Sequence, residues 1–559
     1  MNFVDIQIKN FRNFEDIKVN LKNKNIFFGM NDVGKTNFLY ALRYVFDRNI
    51  RKYGFVETDF HNKRTEIPIE ILVTIDISDE SDVDCQKLRA KMKGALLSQH
   101  NTAFIKIKGI YNEQEMVALP MLFWGGDINK LYEIKQKGYF FDLDSIFDVI
   151  YIDSYVDVYA LFKKHVNVLI KNDEENDRVL LNEINKTVFQ LNQNISLLSG
   201  IKSFENQIIP EYKKFRDEEI QISIKSEIAV KGLFSNIVPY IKRENDDLLY
   251  PTSGEGRKKI LAYSIFDLLA RKNKNKKINL FLVEEPENHL HKSMQIALST
   301  ALFSDNMYSY LFVSTHSPFI LYEMDNVNLV RIYNDKTITG ASVFYQVPNE
   351  FNSYKKGLNR FLSEAIFSNK VLLVEGPSEL TLFEKILSSV YPNYGVEGVY
   401  ILPVNGVGFS IYRLILQKLH IMTIIKTDND LKKVSTTSNQ YVALGFSRCN
   451  KIIDKEILPK EYVQRKSIKQ KRDLYKNYKV VLDGIREEYL IYLSQVDLEN
   501  DLHMVLGEKL RQYVGNEPVK YLQKAKHQHM IELVNKLSDD DCKKIYEHYN
   551  FACLKRLVE

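Results

Sequence analysis

The segment from Gly29 to Thr36 matches the pattern G-x-x-x-x-G-K-[ST], in which glycines let the backbone wrap around phosphate groups. Backbone N–H groups and the start of the following helix direct partial positive charge at the phosphates. Lys35 is expected to reach the terminal phosphates, and the Thr36 hydroxyl is expected to bind Mg²⁺. These residues predict a site for a nucleotide together with its divalent ion.

Two adjacent glutamates, Glu284 and Glu285, follow the apolar stretch 278–283. At the end of a strand, one carboxylate can hold the metal of a bound nucleotide while the next orients or deprotonates the attacking water. We assign Glu284 to the metal and Glu285 to the water. Two acids at a strand end are by themselves more typical of a solvated turn, and the upstream phosphate-binding motif favours the catalytic interpretation.

A second group of carboxylates lies in the last third of the chain. Glu375 follows the apolar stretch 371–374, and Asp428 and Asp430 follow the apolar stretch 423–425. Oxygen ligands suit hard divalent cations such as Mg²⁺ or Mn²⁺. Because a pair of such ions can stabilise both the attacking and the leaving oxygen of a phosphodiester, the pattern predicts metal-assisted phosphodiester hydrolysis.

Further acids lie in the segment 497–501. In an extended conformation Asp497 and Glu499 would share one face and could supply a second metal. The alternative is a helix start, where acidic side chains interact favourably with the helix dipole. Of the downstream lysines we choose Lys526 as the residue that neutralises charge developing on the cut phosphate, and a solvated lysine is the alternative.

Strands followed by loops and helices are expected to position these groups. The hydrophobic pattern predicts a helix from about residue 35, and it predicts strands at 3–9, 26–28, 278–283, 310–314, 371–374 and 424–426. The hydrophobic pattern predicts helices over residues 172–230. They include apolar residues at a 4-3-4-3 spacing, which fits either an intramolecular core stripe or a dimer-forming helical insertion: Ile184, Val188, Leu191, Ile195 and Leu198. The basic stretch 451–479 fits either a surface that follows DNA phosphates or a solvated helix face.

The composition indicates an ordinary globular protein of two or three domains, because the chain has 559 residues, of which 45% are hydrophobic and 27% charged. A net charge of +5 is mild, so any nucleic-acid surface must be a local patch. The four cysteines form no C-x-x-C pair, which argues against a zinc ribbon and a disulfide framework. No signal peptide and no long apolar run is evident, so we expect a cytoplasmic protein without a membrane span.

The N-terminal motifs resemble those of ABC-type ATPases of the RecF and SMC kind. The stretch 8–14 is similar to the opening strand and turn of those proteins, and Ser253 and Gly254 lie in a segment that resembles the ABC signature loop. His316 matches the switch histidine near the γ-phosphate. The resemblance implies ATP as the nucleotide and dimerisation on ATP. Two positions depart from the pattern, because Glu284 stands where Asp is usual and residues 254–256 replace a Gly-Gly pair.

The order of motifs along nearly the whole chain resembles the OLD family of ATPase–toprim nucleases. Glu375 with Asp428 and Asp430 is similar to the toprim glutamate and D-x-D, and Glu379 resembles the extra glutamate of the nuclease branch. The implied catalytic and metal-binding residues are Glu375, Glu379, Asp428, Asp430, Asp497 and Glu499, with Lys526 also catalytic. The implied nucleotide-binding residues are Asn31, Gly34, Lys35, Thr36, Asn37, Ser253, Gly254, Glu284, Glu285 and His316.

Segments around 31–37, 250–254 and 428–431 look most like the Gabija anti-phage branch of that family. The branch implies an endonuclease that cuts double-stranded DNA under nucleotide control, a homotetramer built from dimers, and a UvrD-like helicase partner. The expected fold is an α/β ABC-type (RecF/SMC-like) ATPase head with a helical dimerisation insertion, followed by a C-terminal toprim α/β domain. The expected boundaries are 1–150 and 236–347 for the ATPase, 151–235 for the insertion and 348–559 for the toprim domain. A RecF-like repair clamp with an inactive toprim unit and a toprim topoisomerase or primase are the alternatives.

Overall fold

The structure is a computed structural model that describes residues 1–30, 32–97, 99–138, 140–155, 161, 178–213, 223, 225–226, 240–242, 249–251, 255–273, 277–304, 308–405, 408–435 and 439–559. Three predicted nucleotide-site residues, Asn31, Ser253 and Gly254, lie outside these ranges. None of the helices in the described ranges combines the length and the apolar character needed to cross a bilayer. All four cysteines are buried as free thiols.

The strands are numbered in chain order: β1 (Asn2–Phe11), β2 (Phe14–Asn20), β3 (Lys24–Phe28), β4 (Ile69–Asp76), β5 (Thr102–Gly109), β6 (Pro120–Gly125), β7 (Tyr132–Glu133), β8 (Gln136–Lys137), β9 (Phe140–Phe141), β10 (Phe147–Ile152), β11 (Tyr240–Lys242), β12 (Leu249–Pro251), β13 (Ile278–Glu284), β14 (Leu311–Ser314), β15 (Val327–Asp335), β16 (Thr337–Tyr345), β17 (Lys370–Val374), β18 (Val399–Pro403), β19 (Met422–Thr427), β20 (Leu431–Lys433), β21 (Tyr441–Ala443), β22 (Tyr462–Val463) and β23 (Ile491–Leu493). The predicted strands are confirmed as β1, β3, β13, β14, β17 and β19.

The described helices, also numbered in chain order, are α1 (Lys35–Phe46), α2 (Arg48–Arg51), α3 (Val83–Lys91), α4 (Arg178–Ser196), α5 (Ser199–Lys213), α6 (Glu255–Asn273), α7 (Lys292–Ser304), α8 (Lys355–Ala365), α9 (Pro377–Val390), α10 (Phe409–Lys418), α11 (Leu444–Ile453), α12 (Ile468–Asn477), α13 (Lys479–Tyr489), α14 (Leu498–Leu506), α15 (Glu508–Val514), α16 (Pro518–Lys524), α17 (Lys526–Val534), α18 (Asp539–Glu547) and α19 (Ala552–Val558). A 3-10 helix covers Asn349–Tyr354, just after the expected domain boundary between residues 347 and 348.

Two six-stranded sheets form the N-terminal part. The first has the order β2-β1-β4-β5-β6-β7 and is antiparallel. Along β5, apolar and polar residues alternate, so Ile105 and Ile107 are buried while Lys106 pairs with Glu70 at 2.9 Å. The second sheet has the order β10-β13-β14-β3-β15-β16. Its central strands β13, β14, β3 and β15 are parallel and almost fully buried, so their carboxyl ends form one edge.

The C-terminal part contains a four-stranded parallel sheet of order β18-β17-β19-β23. Parallel pairing requires crossover connections, and helices α9 to α13 supply them or flank them. A buried apolar cluster joins the sheet to the last helices, with members that include Leu372, Phe383, Leu502, Met530, Ile545 and Leu554. This core fixes β17 and β19 side by side, so residues that follow both strands lie at one edge.

The chain divides into two compact units. One comprises 1–151, 280–287 and 291–559, and the other comprises 152–279 and 288–290. In the second unit, α4 and α5 are the described helices of the predicted helical region, and residues 223, 225 and 226 of that region are not helical. The apolar seam is not a buried stripe among the described residues, since Leu191 is 46% and Leu198 is 57% exposed. This exposure disfavours the interpretation as an intramolecular core.

Candidate nucleotide and metal sites

The phosphate-binding loop connects β3 to α1, as the sequence predicts, and its backbone requires glycine at two positions. Gly29 has φ 150° and Gly34 has φ 97°, both in the region that L residues avoid. A Cβ at Gly29 would lie 2.1 Å from the carbonyl oxygen of Ile332, and a Cβ at Gly34 would lie 2.0 Å from the Asn13 amide. The loop is therefore packed against β15 and against the turn after β1.

Lys35 lies in a cavity of about 490 Å³ lined by Asn13, Asp32, Gly34, Lys35, Thr36, Asn37, Glu285 and His316. Its ammonium donates hydrogen bonds to the carbonyl oxygens of Gly29 at 3.1 Å and Met30 at 2.6 Å. Burial lowers the pKa of Lys35 to about 8, although the nearby carboxylates of Glu285, Asp32 and Glu287 act in the opposite direction. A buried ammonium that, among the described residues, donates its hydrogen bonds to neutral carbonyl oxygens is well suited to accept an anionic group.

Glu284 and Glu285 have different partners. Glu284 accepts hydrogen bonds from the hydroxyls of Thr36 and Tyr151, so the two residues predicted to hold the nucleotide metal are in direct contact. Glu285 has φ 41°, a strained conformation for this residue type, and its Oε1 lies 3.3 Å from Nε2 of His316. Burial, reinforced by the charge of Lys35, lowers the pKa of His316, so its ring is neutral near pH 7.

Asn13 and Asp32 line the cavity without being among the predicted site residues, and two further residues of this site were also missed by the sequence reasoning. The first is Tyr151, which holds Glu284. The second is Glu287, whose carboxylate accepts hydrogen bonds from Thr315 Oγ1 at 2.9 Å and from the backbone N–H of His316 at 2.6 Å. Burial raises the pKa of Glu287. A glutamate in the turn after a strand has no spacing that distinguishes it, so no local signal identified it.

The second candidate site lies at the carboxyl edge of the parallel sheet. Glu375 follows β17, and its Oε1 accepts hydrogen bonds from Thr427 Oγ1 at 2.7 Å and from the backbone N–H of Asp428 at 2.9 Å. Asp428 in turn accepts a bond from Ser494 Oγ at 3.2 Å, next to β23. The ends of β17 and β19 thus bring together Glu375 and Asp428, which are 53 positions apart in the sequence. The end of β23 adds Ser494.

The carboxyl groups repel one another. Burial raises the pKa of Glu379 to about 7, with a further contribution from the charges of Glu375 and Glu499. Burial and the neighbouring carboxylates, Glu375 first, raise the pKa of Asp428 well above its usual range. Burial, followed by the charge of Asp497, also raises the pKa of Glu499. An environment of this kind favours binding of cations.

The extended conformation considered for 497–501 is wrong. Asp497 is the N-cap of α14, and its Oδ1 accepts hydrogen bonds from the backbone N–H of Asn500 at 2.9 Å and from the Asn500 amide at 2.7 Å. An Asp at this position satisfies N–H groups that the first helical turn leaves free, which outweighs the extended alternative. Glu499 is buried in that first turn, and its charge still affects the pKa of Glu379.

Three basic residues border the carboxylates. Arg448, on α11, forms ion pairs with Glu375 and with Asp430, the latter at 3.1 Å. Lys471 is buried within the predicted basic stretch, and its Nζ lies 3.5 Å from Asp430. Lys526 has an exposed side chain. Partial desolvation of its ammonium lowers the pKa of Lys526, but the charges of four of the carboxylates have the larger combined effect, so that the pKa is raised. The sequence reasoning named Lys526 but neither Arg448 nor Lys471.

The chemistry of the donor atoms suits a divalent metal ion, whereas their present arrangement does not form a metal site. The carboxylates are hard oxygen donors that suit Mg²⁺ or Mn²⁺. Within the described ranges, however, no three His, Cys, Asp or Glu side chains are placed as a ready set of metal ligands. Glu375 and Asp430 are instead held by Arg448. The donor set therefore fits a divalent ion, and binding requires a rearrangement of these ion pairs.

Comparison with known families identifies both parts of the chain. Residues 1–321 match a family described as AAA ATPase domain. Residues 366–430, which include Glu375, Glu379, Asp428 and Asp430, match a family described as Overcoming lysogenization defect protein-like, TOPRIM domain. The two matches account for the ATPase and toprim folds expected from the motifs.

Three relatives extend the comparison. Endonuclease GajA of Bacillus cereus strain VD045 is 45% identical over 574 aligned residues, which cover 100% of this chain and 99% of that protein. Endonuclease GajA of Bacillus cereus strain HuB5-5 is 24% identical and covers 47% of this chain and 42% of that protein. The Old nuclease of Escherichia phage P2 is 22% identical and covers 77% of each.

Among solved structures, an SMC head bound to the C-terminal winged-helix domain of ScpA is 10% identical, with a TM-score of 0.36, and covers 62% of this chain and 98% of that chain. The C-terminal region of the Burkholderia pseudomallei OLD protein is 18% identical, with a TM-score of 0.20, and covers 34% of this chain and 88% of that chain.

Proposed function

The chain belongs to the GajA endonuclease family, and on that premise we propose that it is a nucleotide-regulated, divalent-metal-dependent endonuclease of a bacterial anti-phage defence system. Its substrate is double-stranded DNA, in which it nicks or cuts phosphodiester bonds. The N-terminal ATPase part binds ATP, and the C-terminal toprim part performs the hydrolysis.

The observation that carries this proposal is the convergence of Glu375 and Asp428 at the ends of neighbouring strands. With Glu379, Asp430, Asp497 and Glu499, these carboxylates would hold Mg²⁺ or Mn²⁺. Ions held there would supply a nucleophilic water and would stabilise the leaving oxygen. Lys526, exposed at the rim of the acidic centre, neutralises charge that develops on the phosphate during cleavage.

At the nucleotide site, Lys35 binds the terminal phosphates, and Thr36 and Glu284 hold the nucleotide Mg²⁺. Their direct contact in the structure supports this pairing. Glu285 orients water, and the neutral ring of His316 lies on the γ-phosphate side. Gly34, Asn37 and Asn31 complete the cradle, and Ser253 and Gly254 cap the nucleotide that the partner subunit binds.

The proposed assembly follows from the family. It is a homodimer through the ATPase head, with residues 151–235 as a dimerisation insertion between ATPase parts 1–150 and 236–347 and with a toprim domain at 348–559. Two dimers form a homotetramer, and a GajB-like helicase of the UvrD type is the partner. The protein acts in the cytoplasm. Bound ATP holds the nuclease in check, and nucleotide depletion during phage replication releases it.

Plasmid cleavage tests the proposal. Purified protein with Mg²⁺ or Mn²⁺ is expected to nick supercoiled plasmid, ATP is expected to inhibit nicking, and Glu375→Gln is expected to abolish it. Glu397→Gln, an equivalent change at an exposed glutamate of the same C-terminal part, serves as the control and should cut normally.

Each other result has a defined meaning. Activation by ATP would reverse the regulatory sign. Absence of cutting together with ATP-dependent DNA binding would identify a clamp instead of a nuclease, and covalent protein–DNA adducts after a denaturant quench would identify a topoisomerase.

A further inference from the structure

The guanidinium of Arg448 lies between two of the carboxylates assigned to the metal. Its Nη1 donates to Glu375 Oε1, to Thr427 Oγ1 and, at 3.4 Å, to the carbonyl oxygen of Asp428. Its Nη2 donates to Asp430 Oδ2 at 3.1 Å. One planar side chain therefore connects the glutamate that follows β17 with the aspartate that follows β19.

These bonds use oxygen atoms that a metal ion also needs. Glu375 Oε1 accepts from Thr427, from the Asp428 N–H and from Arg448, so it already has three donors in this conformation. A divalent ion needs carboxylate oxygens at about 2.0–2.6 Å. A guanidinium placed between the same two carboxylates prevents such an approach by both electrostatic repulsion and volume. This agrees with the lack of a ready three-ligand set among the described residues.

The excess of carboxyl groups at this edge of the sheet explains why a cation is needed between Glu375 and Asp430. Six carboxyl groups gather at this edge, namely Glu375, Glu379, Asp428, Asp430, Asp497 and Glu499. Of the three bordering basic residues, Arg448 is the one whose ion pairs reach carboxylates from two strands. A guanidinium also suits the position better than an ammonium, because its rigid fork can donate to two partners at once.

We propose that Arg448 is an internal counter-cation that competes with the divalent metal for Glu375 and Asp430. In the metal-free protein it holds the carboxylates together, and metal binding requires that its guanidinium leave both. Arg448 therefore sets the metal concentration at which the centre becomes loaded. This inference rests on the proposed metal-dependent nuclease and adds a residue that controls metal loading.

Calorimetric titration of nucleotide-free protein with Mn²⁺ tests the competition, and the binding heat that disappears in Glu375→Gln identifies the toprim site. Arg448→Met removes the charge and keeps most of the length of the side chain. We expect it to lower the Mn²⁺ dissociation constant by about tenfold or more, since one unit charge beside a divalent ion is worth more than the factor of ten that 1.4 kcal/mol represents. Arg448→Lys, which keeps the charge but cannot bridge two carboxylates, should give an intermediate value.

Thermal unfolding provides a second readout that does not depend on cleavage. In EDTA, Arg448→Met should unfold at a lower temperature than wild type, because its carboxylates lose their bridging cation. Addition of Mn²⁺ should raise the unfolding temperature of the variant more than that of wild type. Lys451→Met is the matched control, because it removes the same charge from an exposed position of the same helix. It should change neither the Mn²⁺ affinity nor the response to Mn²⁺.

The outcomes separate this inference from the proposed function. Unchanged or weaker Mn²⁺ binding by Arg448→Met would overturn the competition and would assign Arg448 to the positioning of ligands. A similar gain in affinity for Lys451→Met would also overturn it, because the effect would then be one of general charge. If wild-type protein shows no Mn²⁺ binding that depends on Glu375, the proposed metal-dependent nuclease fails instead.

Discussion

At the residue scale, Glu379 has a carboxyl group whose ionisation the fold disfavours, although metal binding would require the ionised form. It is 8% exposed in the first turn of α9, and burial raises its pKa to about 7. Ionisation of this group near neutral pH therefore costs free energy in the metal-free protein. Active sites commonly accept such a cost, since the same charge contributes to binding of substrate or metal.

We expect Glu379→Gln to stabilise the metal-free protein at pH 8 by about 1–3 kcal/mol, because it removes an ionisation that the fold disfavours. The sign follows from proton binding. Between about pH 4.5 and 7 the folded state binds more protons at Glu379 than the unfolded state, so wild-type stability falls as the pH rises through this window and is then constant. Glutamine does not titrate, so the variant lacks this fall.

Thermal unfolding in EDTA at several pH values measures this effect. The unfolding temperature of Glu379→Gln should exceed that of wild type at pH 8, and the difference should vanish near pH 4.5. A difference that is the same at every pH would show that the pKa of Glu379 is not raised by folding. Glu397→Gln should follow wild type throughout.

At the scale of elements, β15 connects the two candidate sites through Arg331. This residue pairs with Phe28, the last residue of β3 before the phosphate-binding loop. Its guanidinium is 8% exposed and donates to the carbonyl oxygens of Leu419 at 3.2 Å and His420 at 2.6 Å, just before β19. It also donates at 3.0 Å to Asn369, which precedes β17. The strand that supports the nucleotide loop is thus bonded to the residues just before both strands that lead into the candidate metal-binding carboxylates.

We expect Arg331→Met to let the N-terminal and C-terminal parts unfold separately. Each hydrogen bond from a charged donor is worth about 1.5–3 kcal/mol, and the variant also leaves buried carbonyl groups without this donor. Differential scanning calorimetry should show two transitions instead of one, and ATP should raise only the transition of the N-terminal part. Two resolved transitions in wild type would contradict this prediction.

Arg413→Met is the control for Arg331→Met. Arg413 is also buried, at 6% exposure, and it donates to the carbonyl oxygens of Ile452 and Tyr489 within the C-terminal part. Its replacement should lower the unfolding temperature without a second transition. The comparison separates the loss of buried bonds in general from the loss of this particular connection.

At the scale of the whole molecule, the candidate nucleotide site and the candidate metal site lie at the edges of two different sheets of one chain. Lys35→Ala should therefore separate regulation from cleavage. Loss of its charge-assisted bonds to phosphate should raise the ATP concentration for half-inhibition by about 10- to 100-fold, while nicking without ATP should stay normal. Plasmid nicking over an ATP titration measures both quantities.

Lys63→Ala provides the control for this titration. Its side chain is 65% exposed and forms a long ion pair of 3.8 Å with Glu57, so its removal should leave ATP inhibition unchanged. Loss of nicking in Lys35→Ala without ATP would show that the nucleotide site is required for cleavage itself and not only for its control.

The amino-acid sequence by itself determined the groups whose chemistry depends on local spacing. The phosphate-binding loop, the Glu284-Glu285 pair and the carboxylates after β17 and β19 follow apolar strands within a few residues, so hydrophobic patterning and motif spacing identify them together. The same reasoning placed Glu375, Asp428 and Asp430 directly after apolar strands, and the carboxyl ends of neighbouring parallel strands meet at one edge of a sheet. It left two alternatives open at 497–501, an extended segment and a helix start, because side-chain capping competes with an extended strand over only a few residues, and the structure shows the helix start.

Only the tertiary structure decided which side chains bond to those groups and compensate their charges. Arg448 pairs with Glu375 across 73 positions, and Tyr151 bonds to Glu284 across 133. No spacing in the sequence marks such partners, because lysine, arginine and tyrosine are frequent and their long side chains reach over distances that depend on how the sheets pack. Local patterns fix which residues leave a strand end, whereas the electrostatic environment of a buried group is the sum over every element that packs around it.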